Sequence, residues 1–285
     1  SLEWLSRYGT DSILALDARN QRVSYFDAEG NLGRSVRLIS TVQLAFPRIL
    51  GAFSDGSFMA TRGTYQLGGD PPVRVERPAE TLFRIGADGE SVSQLGDFPG
   101  LEWVIVPSGP GGRFERRRRP FGRETAFAAA SDRFYVADNR TYEIRVYSAT
   151  GALLKIIRKQ GTVHSITDAD IRAFEDSILR RGSEAERPQL LDYIELLPAH
   201  PRTYPAFAAE IHIDADLYLW VREVVPAGSQ QAVWSVFSDE GRFLGTVELP
   251  ARLRIFDIGT DYILGLRRDD FDVEYLEMYR VRRRP

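Results

Sequence analysis

Apolar and polar residues alternate with a period of two along the stretch from Gly122 to Lys159. This alternation is typical of half-buried β-strands, and Asp132 and Gly151 stand at two of the points where turns interrupt it. We therefore predict four short antiparallel strands in this stretch. The alternating apolar positions are Ala126, Ala128, Ala130, Phe134, Val136, Ile144, Val146, Leu154 and Ile156.

An aspartate turn precedes an apolar strand five times along the chain. Successive turns are 44, 77, 84 and 45 residues apart. The outer two spacings give the bare repeat, so the inner two must contain insertions. The turns are at Asp11, Asp55, Asp132, Asp216 and Asp261.

A second turn follows the next strand in four of these repeats. Each begins after an apolar or aromatic residue and ends on a glycine, where a positive φ angle is expected. A further strand follows each turn, which makes each repeat a four-stranded unit. The turns are Phe26 to Gly30, Ile85 to Gly89, Tyr147 to Gly151 and Phe237 to Gly241.

Four-stranded units of about 45 residues that recur in the same order predict an all-β fold, the β-propeller. A β-sandwich also has short alternating strands, but it does not explain why both turns return in the same order. We interpret residues 1–285 as a single propeller domain with insertions at 99–121 and 161–205.

The chain resembles the bacterial six-bladed β-propellers that are related to NHL-repeat proteins. The resemblance rests on Phe134 to Gly151, on Thr203 to Val221 and on the ending from Asp261 to Val281. Many such proteins are exported or associated with the cell envelope, so the resemblance implies a periplasmic or envelope location. It also implies six blades, whereas the sequence contains five units.

The first and last units leave the predicted ring open. The chain begins with an innermost strand at Trp4 to Tyr8 and ends with a third-position strand at Glu274 to Val281. We expect residues upstream of Ser1 to supply the absent outer strand and a sixth blade. One alternative is a five-bladed ring with a short last blade. Another is that the charges of the tail protect the exposed edge; these are Arg280, Arg282, Arg283 and Arg284.

Composition excludes several classes of function. The chain has no cysteine, so disulfides, zinc–thiolate sites, iron–sulfur clusters and thiol catalysis are excluded. The net charge of −3 argues against a nucleic-acid binder. Of 37 basic residues only Lys155 and Lys159 are lysine, a bias that genomic composition explains well. No apolar run reaches the roughly 20 residues that a membrane-spanning helix needs.

Four long connections are predicted to lie on one face of the ring, because strands alternate in direction from the axis outward. Loops of this length are uncommon in a compact domain without a function, so we take this face as the binding face. The connections are Arg62 to Glu80, Pro99 to Phe121, Gly161 to Pro205 and Arg222 to Ala232.

The connection from Glu102 to Arg119 is predicted to form an arginine-rich hairpin. For any single arginine a solvated edge strand is the better interpretation. The whole cluster favours an acidic partner, since charges this dense repel each other unless something neutralises them. We therefore assign partner binding to Trp103, Arg113, Arg116, Arg117, Arg118 and Arg119.

The longest connection is predicted to contain two helices. Thr167 with Asp170 forms a capping box, and Arg181-Gly182 ends the first helix. A second, shorter helix runs from Pro188 and ends at Pro198. We expect the apolar stripe of this helical pair to cover the propeller rather than to receive a partner. In the second helix the stripe consists of Leu190, Leu191, Ile194 and Leu197.

Catalytic and metal signatures are weak. Some propellers of related fold are calcium-dependent lactonases or esterases, which implies oxygen ligands in the central channel. Asp138 and Asn139 close a strand where such residues normally form turn hydrogen bonds, and no comparable set recurs in the other units, so we expect no cofactor. His164 and His200 flank the helical insertion, and no histidine lies in a catalytic motif. The oxygen-bearing candidates are Asp17, Glu124, Asp138, Asn139 and Glu210.

These observations predict a non-catalytic propeller that acts as a scaffold or docking module. We expect a protein partner with an acidic surface, or a membrane-bound envelope complex of which this chain is an extrinsic subunit. A calcium-dependent hydrolase is the alternative.

Overall fold

The computed structural model describes residues 2–9, 11–17, 19–38, 47–62, 73–107, 114–161, 163–225, 228–269 and 272–283. These ranges contain six antiparallel sheets, and five of them follow one another along the chain, which we number units 1 to 5. The first strands of units 1, 2, 3 and 4 lie side by side in that order, and the first strand of unit 5 returns to that of unit 1. The fold is a β-propeller, as the sequence predicts.

Units 1 and 2 have four strands each, hydrogen-bonded in chain order from the axis outward. Between the second and third strands of unit 2 the chain forms one further short strand, β7 (Arg74–Glu76), which belongs to another sheet. The strands of the two units are β1 (Leu2–Tyr8), β2 (Ser12–Asp17), β3 (Arg22–Phe26), β4 (Leu32–Arg37), β5 (Arg48–Ala52), β6 (Phe58–Thr61), β8 (Ala79–Ile85) and β9 (Val92–Pro99).

Units 3 and 4 also have four strands, whereas unit 5 has three in the described part of the chain. A hairpin of β10 (Trp103–Pro107) and β11 (Phe114–Arg118) separates unit 2 from unit 3. The strands of units 3 to 5 are β12 (Thr125–Ala130), β13 (Arg133–Asp138), β14 (Glu143–Ser148), β15 (Leu153–Arg158), β16 (Ile211–Ile213), β17 (Leu219–Arg222), β18 (Gln231–Phe237), β19 (Phe243–Pro250), β20 (Leu253–Ile258), β21 (Tyr262–Arg268) and β22 (Glu274–Arg280).

Apolar clusters between successive units hold the ring together. Because side chains of a strand alternate between the two faces, each sheet presents an apolar row to the unit on either side. Leu14 meets Phe58 between units 1 and 2, and Trp220 belongs to the cluster between units 4 and 5. Similar clusters join units 2 and 3 and units 3 and 4. This repeated burial supplies most of the driving force for folding.

The contact between units 5 and 1, which we call the seam, is polar at its centre. Arg7 Nη2 donates to Asp257 Oδ1 and to the Ile258 carbonyl oxygen, both at 3.2 Å. Within the described residues no apolar cluster joins these two units, and Leu5 and Phe256 remain exposed. The expectation of an open ring is therefore wrong at the inner strands, which this ion pair bridges.

The outer side of unit 5 is as the sequence predicts. In the described part of the chain, β22 has β21 on one edge and no strand on the other. The tail arginines were expected to protect this edge by their charge, but Arg283 is already neutralised, since its Nη2 pairs with Asp214 Oδ2 at 2.8 Å. Arg284 lies outside the described residues. An upstream strand and sixth blade stay a prediction.

Both predicted turns are present in the positions assigned to them. The aspartate turns join the first and second strands of each unit, and the glycine turns join the third and fourth strands of units 1 to 4. The four glycines have φ between +77° and +92°, as expected. A Cβ at Gly89 would also lie 2.3 Å from the Arg37 carbonyl oxygen, so this turn requires glycine for two reasons.

The long connection between units 3 and 4 contains the two predicted helices, α1 (Asp168–Arg181) and α2 (Arg187–Leu196). The Thr167–Asp170 capping box is present, with both reciprocal hydrogen bonds. In the ranges that the structure describes, no helix is both long and apolar enough to cross a bilayer.

The glycine turn of unit 2 predicts a measurable pKa. Hydrogen bonds from the Ser91 hydroxyl, the Ser91 N–H and the Glu90 N–H lower the pKa of Asp88 to about 2. Because this folded-state pKa lies below the ordinary value of about 3.9, the stabilisation is complete above that value and is lost as pH falls towards 2. Ser91→Ala should therefore raise the Asp88 pKa, measured by NMR titration.

The neighbouring Ser93→Ala is the matched control, because Ser93 is exposed on β9 and makes no hydrogen bond to Asp88. We expect it to leave the Asp88 pKa unchanged. Equal pKa values in the wild type and Ser91→Ala would contradict the assigned cause.

Candidate functional site

Three long connections fold together into a second layer, which we call the accessory layer. One lies within unit 2, one between units 2 and 3, and one between units 3 and 4. The layer consists of the sheet β11-β10-β7 and helices α1 and α2. Val104 and Val106 on β10 are fully buried against Tyr193 of α2. The layer thus has an apolar core of its own, separate from the clusters between the units. Partly buried members of that core are Val75, Ile178, Ile194 and Leu197.

Alternation along β11 sends its arginines to two sides of the accessory sheet. Arg117 lies opposite Val104 in the register, and its guanidinium stacks over the Tyr193 ring at 4.4 Å. The Arg116 guanidinium lies 5.9 Å from the ring centre of Trp103, which is half-buried. The hairpin is thus fastened to α2 and to its own first strand.

Carboxylates of the same chain neutralise the arginines of the described part of the hairpin. The expectation that an acidic partner must neutralise these arginines is therefore wrong. Arg113 lies outside the described residues. The ion pairs are Arg116 with Glu76, Arg117 with Glu115, Arg118 with Glu124 at 3.0 Å, and Arg119 with Glu102 at 3.1 Å.

The four pairs differ in how much of the arginine reaches solvent. The Arg119 side chain is 20% exposed and also donates to the Ala199 carbonyl oxygen at 3.0 Å, beyond the end of α2. The Arg118 side chain is 67% exposed. Of the described arginines assigned to partner binding, Arg118 is therefore the one most available to another molecule.

A second ion pair fixes the accessory layer to unit 3. Arg77 follows β7 directly, and its Nη2 donates to Asp138 Oδ1 at 2.8 Å and to Thr125 Oγ1 at 3.3 Å. Its Nε donates to the Gly100 carbonyl oxygen at 2.8 Å. One guanidinium thus joins the insertion of unit 2, the start of the hairpin connection and two strands of unit 3.

Burial perturbs the charged groups near this junction. Burial raises the pKa of the Glu124 carboxyl, and the charges of Arg118, Arg48 and Arg77 oppose that shift. Burial also lowers the pKa of the Arg123 guanidinium, which donates to Thr203 Oγ1 at 3.2 Å. These groups hold the connections between units together, and each has a partner within the chain.

An aromatic cluster lies at the base of the helical insertion. The Phe121 ring is 5.6 Å from His200 and 5.5 Å from Tyr204, and Phe174 of α1 packs on both Phe121 and His200. Burial lowers the pKa of His200. His200 is thus a packing residue, and the described contacts place it with these rings rather than with His164.

The residues considered for a calcium site make contacts within the chain. The Asp17 carboxylate accepts from Asn20, the Asn139 amide oxygen accepts from the Glu124 N–H at 2.8 Å, and Glu210 pairs with Arg222 at 2.6 Å. Asp138 pairs with Arg77 as described above. Among the described residues, no group of three or more acidic, histidine or cysteine side chains converges on one point.

Sequence reasoning missed the residue that closes the core of the accessory layer. It placed Leu191 in the buried stripe of α2, but Leu191 is 49% exposed and Tyr193 is buried instead. The Arg117 guanidinium stacks on the Tyr193 ring. Helical periodicity cannot predict this contact, because Arg117 belongs to a distant strand. The outer face of α2 therefore exposes Leu191 and Leu196 beside Asp192 and Glu195.

Comparison with known proteins finds distant structural likenesses only. A member of the DUF4221 family from Bacteroides vulgatus is 10% identical with a TM-score of 0.44, covering 95% of this chain and 76% of that one. Virginiamycin B lyase from Staphylococcus aureus is 11% identical with a TM-score of 0.37, covering 99% and 85%. A putative exported protein from Bacteroides fragilis is 11% identical with a TM-score of 0.38, covering 94% and 65%.

No protein-family model and no curated protein matches the sequence. Likenesses at this level identify no family, activity or ligand for this chain. The interpretation of the accessory layer therefore depends on its own contacts.

The different exposure of the hairpin arginines predicts different effects on stability. Arg119→Ser removes a largely buried ion pair and a bond to Ala199, so we expect a loss of about 2–3 kcal/mol in the free energy of unfolding. Arg118→Ser removes a pair in which the arginine side chain is 67% exposed, and because solvent screens that arginine we expect a loss of less than about 1 kcal/mol. Urea unfolding of both variants measures this difference, and equal losses would contradict the structural role of Arg119.

Proposed function

We propose that this chain is a non-catalytic β-propeller that docks a protein partner on the outer surface of its accessory layer. The observation that carries the proposal is that insertions from three parts of the chain build one layer with its own core. A layer of this kind is not needed to cover the ring, since the units already bury one another. Its outer surface is free to serve another purpose.

The proposed contact surface combines an apolar patch on α2, which Asp192 and Glu195 flank, with the exposed Arg118. Leu191 and Leu196 on α2 are exposed, and large apolar side chains in such positions are typical of interaction sites. Arg118 is the last residue of β11 and points to the side of the sheet opposite Arg117, where it pairs with Glu124 at the start of unit 3, so it lies where the layer meets the ring. We propose that an acidic group of the partner competes with Glu124 for Arg118. Trp103, Arg116, Arg117 and Arg119 support this surface from within.

A location outside the cytoplasm belongs to the same proposal. It is supported by the resemblance of the sequence to bacterial propellers, many of which are exported or envelope-associated. In that setting the chain would serve as an extrinsic subunit of a membrane-bound complex.

No observation favours the calcium-dependent hydrolase, because the described oxygen-bearing candidates contact residues of the chain itself.

Site-specific photo-crosslinking tests the proposal. A benzophenone amino acid in place of Leu191, in the full chain expressed in the source organism, should form an adduct with one defined protein of the envelope fraction. Arg118→Ser should lower the adduct yield and reduce its dependence on salt, because ionic contacts are screened over about 10 Å at 0.1 M salt.

The same amino acid at Leu244 is the matched control, since this leucine is equally exposed on β19, the outer strand of unit 4. We expect no adduct with that protein from the control position. Identical products from both positions, or no adduct at Leu191, would overturn the proposal.

A further inference from the structure

The free edge of β22 combines two features that the corresponding strands of units 1 to 4 lack in the described part of the chain. It is a third-position strand without a neighbour on its outer side in the described part of the chain. Its side chains Leu276 and Met278 are 72% and 68% exposed. The corresponding strands of units 1 to 4 are each covered by a fourth strand and are far more buried. An uncovered edge of this kind is a template for strand pairing.

The backbone groups that point outward from this edge can be identified. The Val281 N–H donates to the Asp261 carbonyl oxygen, and the Val273 carbonyl oxygen accepts from the Asp269 N–H. Odd-numbered residues of β22 therefore direct their backbone groups towards β21. Since the direction alternates along a strand, the even-numbered residues direct theirs to the free edge. These are Glu274, Leu276, Met278 and Arg280.

The sequence of β22 is complementary to itself when two copies run antiparallel. With Glu277 on the two-fold axis, Glu274 lies opposite Arg280, Tyr275 opposite Tyr279, and Leu276 opposite Met278. All seven residues of the strand are then paired. The same register places each outward-facing residue opposite another outward-facing residue, as an antiparallel ladder requires.

The charges along the edge fit this register. Glu274 and Arg280 carry opposite charges, so two complementary pairs form, one on each side of the axis. Glu274 Oε1 also accepts a hydrogen bond of 3.0 Å from Arg268 Nε of its own chain. The two Glu277 side chains would meet at the axis, but each accepts a hydrogen bond of 2.7 Å from Arg267 Nε in its own chain. That local pairing offsets the repulsion between the two carboxylates.

We propose that two copies of this chain associate through β22, forming an antiparallel strand pair with Glu277 at the two-fold axis. Leu276 and Met278 then cover each other across the axis, and two units of three strands become one continuous six-stranded sheet. This interface is independent of the proposed docking function of the accessory layer. A single pair of seven-residue strands buries less than the roughly 1,200 Å² from which stable complexes start, so exchange between monomer and dimer is expected.

Charge reversal tests the register directly. Glu274→Arg alone places two arginines opposite each other in each pair, and Arg280→Glu alone places two glutamates opposite each other. Each single variant should therefore be monomeric. An equimolar mixture of the two variants places arginine opposite glutamate in both pairs, so it should recover the dimer. Sedimentation velocity of the full chain over a range of concentrations measures the mass of each sample.

Two further variants separate association from folding. Met278→Pro removes an outward-facing N–H while leaving the bonds to β21 in place, so it should abolish the dimer in every mixture without unfolding the chain. Glu248→Arg makes the same charge change as Glu274→Arg on β19, the outer strand of unit 4, and should leave the dimer intact. Circular dichroism verifies that each variant is folded.

The outcomes are distinct. Monomeric single variants with a dimeric mixture support the proposal. A wild-type chain that is monomeric at all concentrations overturns it, as does a dimer that persists in both single variants. Protection of the β22 edge from hydrogen exchange in a monomer overturns it too, because another strand would then occupy the edge.

Discussion

Mutual coverage of apolar sheet faces is the constraint on which the whole structure depends. A single sheet with two apolar faces is unstable in water, so each unit of the ring needs a neighbour on both sides. Four of the five contacts between units meet this need with apolar clusters. The seam between units 5 and 1 instead depends on the Arg7–Asp257 pair. Separately from the seam, the outer strand of unit 5 exposes Leu276 and Met278.

The charged residues of the accessory layer show why charge density alone does not indicate a partner. An arginine run looks repulsive in the sequence, because neither composition nor periodicity shows which carboxylates the fold places beside each arginine. In the fold, Glu76 is brought from the unit 2 insertion and Glu124 from the start of unit 3. The cluster therefore supports the layer internally. What remains for a partner is the exposed surface of α2 and Arg118.

Features that depend on local sequence were predictable, and features that depend on distant contacts were not. The Thr167 capping box and the glycine at Gly89 follow from rules that span a few residues, and both are present. The burial of Tyr193 depends on Arg117, which lies 76 positions away in the chain. The closure at Arg7 and Asp257 spans nearly the whole sequence. Propensity and periodicity carry no information about such pairs.

Ion pairs within the chain fix the accessory layer to the ring. A double-mutant cycle on Arg77 and Asp138 measures this most directly, because both side chains are largely buried and they join the unit 2 insertion to unit 3. The free energy of unfolding is determined for the wild type, Arg77→Ala, Asp138→Ala and the double variant. We expect a coupling of about 1–3 kcal/mol. Losses that add to within about 0.5 kcal/mol would contradict the claim.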